Sequence, residues 1–419
     1  MNITANITNS IRWSFRTIVS GVPQEKGSNT STSIVSSLER HDGRLAKAVR
    51  HLVIPFYPDQ SFVPTKIILR IMKSTKSLAS FSWNADYAIP SSILEALHHD
   101  HASALLKVTN HNRKGLPLDE ALLSSPQLHT LDITIGCISR GTTNPQEGNC
   151  ELPRLKTLIM RGGNLKVLRV RLSKVEYFSN AARIQFSSPS VAAVGPFHFR
   201  FQQTDTFPTL EELAISRADD LAPAYDLSAK HCSDWFHAMD WSEMRVLDLV
   251  STHSGYLLRE ITGLVPKLHT LRFNPSSVDS DVLESFLETV PLLTDVKLVS
   301  GYTSHTYSNG FNATVTRVCS TIGSQLRSLQ IECKSSHALS WLPDRFQEIL
   351  GLCPQLAYFK SVIDGQIATG EWEGHVIDKS ASYKYALMSV AGTKEPGMEF
   401  PYLLHDERLD VCSSANLNV

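Results

Sequence analysis

A short phrase, Pro-x-Leu-x-x-apolar-x-apolar, returns along this chain and constrains its fold more than any other feature. It stands as PQLHTLDI at 126, PRLKTLIM at 153, PTLEELAI at 208, PKLHTLRF at 266 and PLLTDVKL at 291, with a weaker copy, PQLAYFKS, at 354. KSLASFSW at 76, SEMRVLDL at 242 and SQLRSLQI at 324 keep the pattern without the proline, and NLKVLRV at 164 is a shorter echo. The alternating apolar residues that close each phrase are the signature of a short strand with one buried face. Ahead of several copies the period changes. In DSDVLESFLETVP, Val282, Leu283, Phe286, Leu287 and Val290 share one helical face, and Asp281 with Glu284 has the spacing of a capping box. SGYLLREITGLVP, LPDRFQEILGLCP and KIILRIMKS repeat the helical design. The proline accounts for the switch, since it disfavours helix at the preceding residue and brings no amide donor.

Each unit therefore reads as helix, turn, short strand. Counted from the first Leu or Met of each phrase, the units at 244, 268 and 293 are 24 and 25 residues apart, and those at 293, 326 and 356 are 33 and 30 apart. Such periods suit leucine-rich repeats with variable loops. One unit cannot bury both of its sides, so the units must stack. The expected fold is α/β, an irregular leucine-rich-repeat solenoid with a short-strand parallel sheet on the concave side and helices outside. Residues 45–362 should form the solenoid, 1–44 an N-terminal segment, and 363–419 a C-terminal cap and loose tail. VEYFSNAARIQFSSPSVAAVGPFHFRFQQ, from 175 to 203, reads as further short strands. A doubly wound α/β domain also alternates helix and strand, but its phosphate-binding fingerprint is missing and its strands would be longer apolar runs.

On that framework the outward strand positions would form a concave surface for a protein partner. Thr130, Asp132 and Thr157 belong to its early units, and Glu212, Thr270 and Arg272 to its middle. Asp295, Lys297, Ser328, Gln330, Tyr358 and Lys360 follow toward its end. Arg272 and Tyr358 are of the residue types that anchor interfaces.

Composition narrows the function classes. Basic and acidic residues number 40 and 41, for a net charge of -1, so no bias toward nucleic acid or an anionic membrane follows. No run of about 18 apolar residues occurs, and the polar start MNITANITNS is no secretory signal. Seven cysteines are scattered without CxxC spacing, which suits a reducing, intracellular setting, cytoplasmic or nuclear. Sequons at Asn2, Asn6, Asn29 and Asn312 leave a secreted glycoprotein as the least favoured reading. HHDH at 98–101 is the one cluster suggesting a metal, but His also suits a solvated helix end, which is the expectation here. GCISRGTT at 136 lacks the Lys of a phosphate-binding loop and reads as an ordinary loop, and neither GxSxG nor HExxH is present. The expectation is a non-enzyme without catalytic residues, cofactor or metal, and without a nucleic-acid or membrane partner. An enzyme or small-molecule-binding α/β protein of unknown reaction is the alternative, and a deep closed pocket would favour it.

FRTIVSGVP at 15, SLERHDGRLAKAVRHLVIPF at 37 and the PxLxxL phrases, in that order, resemble fungal F-box proteins carrying irregular leucine-rich repeats. The resemblance covers roughly residues 13–362. It implies a strand from Phe15 to Val19, a helix ending in the segment Leu45, Ala46, Val49, Arg50, His51 and Leu52, and then the repeats. It also implies a substrate receptor of a cullin-type ubiquitin ligase, in which the F-box grips Skp1 and the repeats grip the substrate. Only MNITANITNSIR precedes the matching region, so the F-box is expected to be missing or truncated, with Skp1 and cullin as partners only if an atypical F-box persists. Regular repeats of this kind place Asn or Cys after each strand. Here Gly136, Gly163, Ala218, Ser276, Gly301 and Lys334 stand there, and uneven curvature is expected.

Overall fold

The computed structural model describes residues 2–4, 17–19, 44–54, 65–85, 88–111, 117–137, 151–174, 198–217, 225–250, 252–300, 308–333, 348–349, 351–363 and 386–389. Its first strands are β1 (Asn2–Thr4), β2 (Thr17–Val19), β3 (His51–Ile54), β4 (Ser80–Trp83) and β5 (Leu105–Asn110). Then come β6 (Leu128–Cys137), β7 (Val167–Lys174), β8 (Glu212–Arg217), β9 (Tyr225–Asp226), β10 (Val246–Leu249) and β11 (Thr252–His253). The last are β12 (Thr270–Phe273), β13 (Asp295–Ser300), β14 (Ser328–Cys333), β15 (Tyr358–Ile363) and β16 (Ala386–Ser389). Between them lie α1 (Arg44–Ala48), α2 (Thr65–Ser74), α3 (Ser91–Asp100), α4 (Glu120–Leu123) and α5 (Leu152–Gly162). They continue with α6 (Ala229–Ala238), α7 (Gly255–Ile261), α8 (Ser280–Leu287) and α9 (Ser308–Ile322).

The chain is α/β. Fourteen strands form one open sheet in chain order, while β9 and β11 pair separately. Every neighbouring pair in the large sheet is parallel except β15 with β16. Because each crossover steps to the next strand in the same direction and such crossovers are right-handed, the helices gather on one face of the sheet. Consecutive helices accordingly touch: α2 with α3, α4 with α5, and α6 to α9 in a row.

The core follows the phrase found in the sequence. Leu268, Leu271 and Phe273 are buried in one unit, Leu293, Val296 and Leu298 in the next, and Leu326, Leu329 and Ile331 in the one after. The helices bring Leu257, Leu258 and Ile261 from α7, and Val282, Leu283, Phe286 and Leu287 from α8, against these layers. Each such side chain contributes about 1.5–3 kcal/mol by burial, so the repeated layer outweighs any surface pair discussed below. The parallel ladder also reaches one residue ahead of several strands. The Arg245 amide donates to Glu211 O at 2.8 Å, His269 to Arg245 O at 2.9 Å, Thr294 to His269 O at 3.0 Å and Arg327 to Thr294 O at 2.8 Å.

Some expectations fail locally. PRLKTLIM is helix α5, not a strand: Pro153 sits in the first turn, where a missing amide costs nothing, and Gly163 ends the helix at φ 73°. The strand of that unit is the echo that follows, β7. The helix in DSDVLESFLETVP forms, but Asp279, not Asp281, precedes it, and no side-chain cap is made, so the capping box is absent. β6 runs on through Gly136 to Cys137, so the start of GCISRGTT is strand. Of the strands expected between 175 and 203, residues 175–197 lie outside the described residues, and 198–203 form none. There Phe199 and Phe201 pack instead against Phe207 and Trp235. Of the segment from 363 to 419, Ile363 and β16 are described. Among the described residues no helix is long and apolar enough to cross a membrane.

Candidate functional site

Strand alternation separates a core face from an opposite face that carries no helix among the described residues. In β12, Leu271 and Phe273 are buried, Thr270 is half-buried and Arg272 exposed. Register aligns such outward residues from strand to strand. Thr130, Val167, Glu212, Val246, Thr270, Asp295, Ser328 and Tyr358 form one cross-strand row. Asp132, Arg169, Ala214, Asp248, Arg272, Lys297, Gln330 and Lys360 form the next. Every face residue expected from the sequence falls in these rows except Thr157. That residue is exposed on α5, where its hydroxyl donates to Pro153 O at 3.0 Å. The correction has the same cause as the misplaced strand, a proline that opens a helix.

Shifting the strand to β7 brings in two arginines that the phrase-based reading passed over. Arg169 forks onto Glu212 of β8, with Nε and Nη2 at 2.6 and 3.0 Å from its two oxygens. The Glu212 hydrogen bond raises the Arg169 pKa above its ordinary value, against the effect of burial. Arg171 Nε lies 3.3 Å from Asp132 Oδ1, which also accepts from His111 Nε2 at 2.8 Å. Burial alone would raise the Asp132 carboxyl; the His111 hydrogen bond and the charges of His111 and Arg171 outweigh it and hold it below the usual range. Asp248 runs the other way. Burial raises its carboxyl above the ordinary value despite the Arg272 guanidinium at 3.3 Å and the Val250 amide. Farther along, Lys297 pairs with Glu332 at 2.9 Å. The alternation in VLRVRL, which runs from the echo at 164 through Arg171 to Leu172, was the signal that could have revealed Arg169 and Arg171.

The face is thus a mixed array of charges, hydroxyls and one tyrosine, tied strand to strand by ion pairs. Across the sheet from β6 to β15 it measures roughly 34 Å at about 4.8 Å per strand.

HHDH does not converge. His98 Nε2 is 2.9 Å from Ser125 Oγ, His99 bonds Asp100 at 2.7 Å, and His101 donates to Met72 O at 3.0 Å. His101 is buried, so the expectation of a wholly solvated helix end is corrected: its ring bridges back to the C-terminal end of α2. Among the described residues no three His, Cys, Asp or Glu side chains group as metal ligands. Beside this helix end, Arg50, Lys76, His99, Asp100 and Leu105 border an open cleft of about 810 Å³. Cys232, Cys319 and Cys353 are buried thiols, none of them in a disulfide. Compared with known proteins, the chain matches no family model and no curated relative.

Proposed function

We propose that this chain is an irregular leucine-rich-repeat solenoid acting as a non-catalytic protein-binding scaffold, with the sheet face opposite the described helices as its grip. The observation that carries the reading is the pair of cross-strand rows running from Thr130 to Tyr358 and from Asp132 to Lys360. Chain-ordered parallel strands with helices on the opposite side support the stacked-unit architecture, which presents such a face as one extended surface. Arg272 and Tyr358 supply anchor chemistry near its C-terminal half.

The resemblance of FRTIVSGVP, SLERHDGRLAKAVRHLVIPF and the PxLxxL phrases to fungal F-box proteins supports a narrower role. In it the protein is the substrate-recognition subunit of an SCF-type ubiquitin ligase, or a relative lacking the F-box, working inside the cell. The test is affinity capture from the native cell with the full chain, the double variant Arg272→Glu/Tyr358→Ala, and Lys230→Ala on the helix side as control. A partner kept by the wild type and the control but lost by the double variant is the expected result. Skp1 and cullin in the same capture would establish the ligase role, and a partner without them a free-standing adaptor. Partners that survive the double variant unchanged would place binding elsewhere and sink the face reading.

A further inference from the structure

The charges on and beside the sheet face do not cancel as those of the whole chain do. Nearly every face carboxylate is already engaged by a cation: Asp132 by Arg171, beside its hydrogen bond with His111, Glu212 by Arg169, Asp248 by Arg272 and Glu332 by Lys297. Asp295 accepts a hydroxyl hydrogen bond from Thr294 at 2.7 Å. The cations are in surplus. Lys107, in register with Thr130 at the N-terminal side of the face, is exposed and makes no ion pair among the described residues. At the edge where the strands begin, Arg327 is likewise exposed and without an ion pair, while Arg50 and Lys166 bond only the carbonyls of Ser77 and Thr209. The one acid of that edge row, Glu211, already faces Arg245 at 3.8 Å. Among the described residues, a chain of net charge -1 has therefore gathered positive charge without acidic partners along one surface.

We infer that this surface takes an acidic polypeptide segment, one rich in Asp and Glu; the inference rests on the protein-binding reading above and adds the partner's chemistry. From β5 to β14 the spacing places Lys107 and Arg327 roughly 34 Å apart, several times the Debye length of about 10 Å at 0.1 M salt. A single acidic residue cannot serve both. An extended segment of about ten residues, at about 3.3 Å each, spans that distance and can meet each cation locally. Nucleic acid suits the surface less well. Its backbone is charged at every step and would have to cross the carboxylates of Asp132, Glu212, Asp248, Asp295 and Glu332 on this face, where a peptide can place uncharged residues.

Fluorescence anisotropy with the full chain tests this, using labelled peptides of about twelve residues in acidic, neutral and basic sets, and a random-sequence DNA duplex. Acidic peptides should bind at least about tenfold more tightly than the other probes and weaken as salt rises. The variant Lys107→Glu/Arg327→Glu, checked for an unchanged circular dichroism spectrum, should lose about tenfold or more, whereas Lys230→Glu on the helix side should not. Acidic peptides that bind no better than neutral ones, or binding indifferent to the double reversal, would overturn the inference, as would preference for the duplex. If neutral or basic peptides bind and are released by Arg272→Glu/Tyr358→Ala, the acidic inference fails while the protein-binding reading stands.

Discussion

His231 lies buried on α6, with the rings of Phe201 and Trp235 at 5.9 and 5.6 Å and that of Phe199 at 6.3 Å. Burial, reinforced by the charge of the neighbouring His198, lowers its imidazole pKa to about 3. An unfolded histidine titrates near 6.5, so between about 6.5 and 3 the unfolded chain binds a proton that the folded chain refuses. Stability is then complete above about pH 6.5 and is lost as pH falls toward 3. Urea midpoints should drop between pH 7 and 4.5, and His231→Phe should flatten that slope; an unchanged slope would move its origin elsewhere. Asp132 acts in a different window. Its folded pKa is depressed, so its contribution is present above about 3.9 and is lost only as pH falls below that value. The more exposed ion pairs of the face matter little to folding. Arg169 is 43% exposed, and Arg169→Ala should change unfolding free energy by less than about 1 kcal/mol. Leu271→Ala, in the adjacent core layer, should cost about 2–5 kcal/mol in the same denaturation assay.

At the scale of elements, the strands were legible where apolar residues alternate, and β10, β12, β13, β14 and β15 all fall on their phrases. Helices were legible where the period lengthened, as in α2, α7 and α8. PRLKTLIM misled because its apolar residues satisfy both periods: Leu155, Leu158 and Ile159 are spaced for a helix face, while the proline and leucine match the strand phrase. Tertiary packing settled that ambiguity. The turn after α9 holds a tighter constraint, since a Cβ at Gly323 would collide with the carbonyl oxygens of Cys319 and Leu352. Both are backbone atoms, one in α9 itself and the other in the next unit, so neither can swing aside. Gly323→Ala should destabilise by about 1–3 kcal/mol in thermal or urea unfolding; a variant as stable as the wild type would mean that the two units separate easily.

For the whole molecule, chain order and sheet order coincide, so each unit touches its neighbours before anything else. If the units stack as proposed, one can be removed without breaking the pattern. Thr270 and Asp295 are register partners in β12 and β13, so excising residues 270–294 joins His269 directly to an equivalent strand start. The shortened chain should keep a similar circular dichroism spectrum and unfold cooperatively, with a smaller denaturant dependence because less surface is exposed. Collapse into an unfolded or aggregated product would show that the units are not interchangeable, and would weigh against the solenoid.

What the sequence determined by itself was the repeated core. Leu268, Leu271 and Phe273 and their counterparts in later phrases can be buried together only as strands with one apolar face, whatever surrounds them. That also determined which residues between them face outward, and hence nearly all of the candidate face. Only the tertiary structure decided which of two competing periods won at 153–162, because the gain from burying a helical stripe depends on the neighbouring α4 to receive it. It alone brought Arg171 onto Asp132 and Arg169 onto Glu212. Those pairs join residues 39 and 43 positions apart, and parallel register, a property of adjacent strands and not of either one, is what sets them side by side.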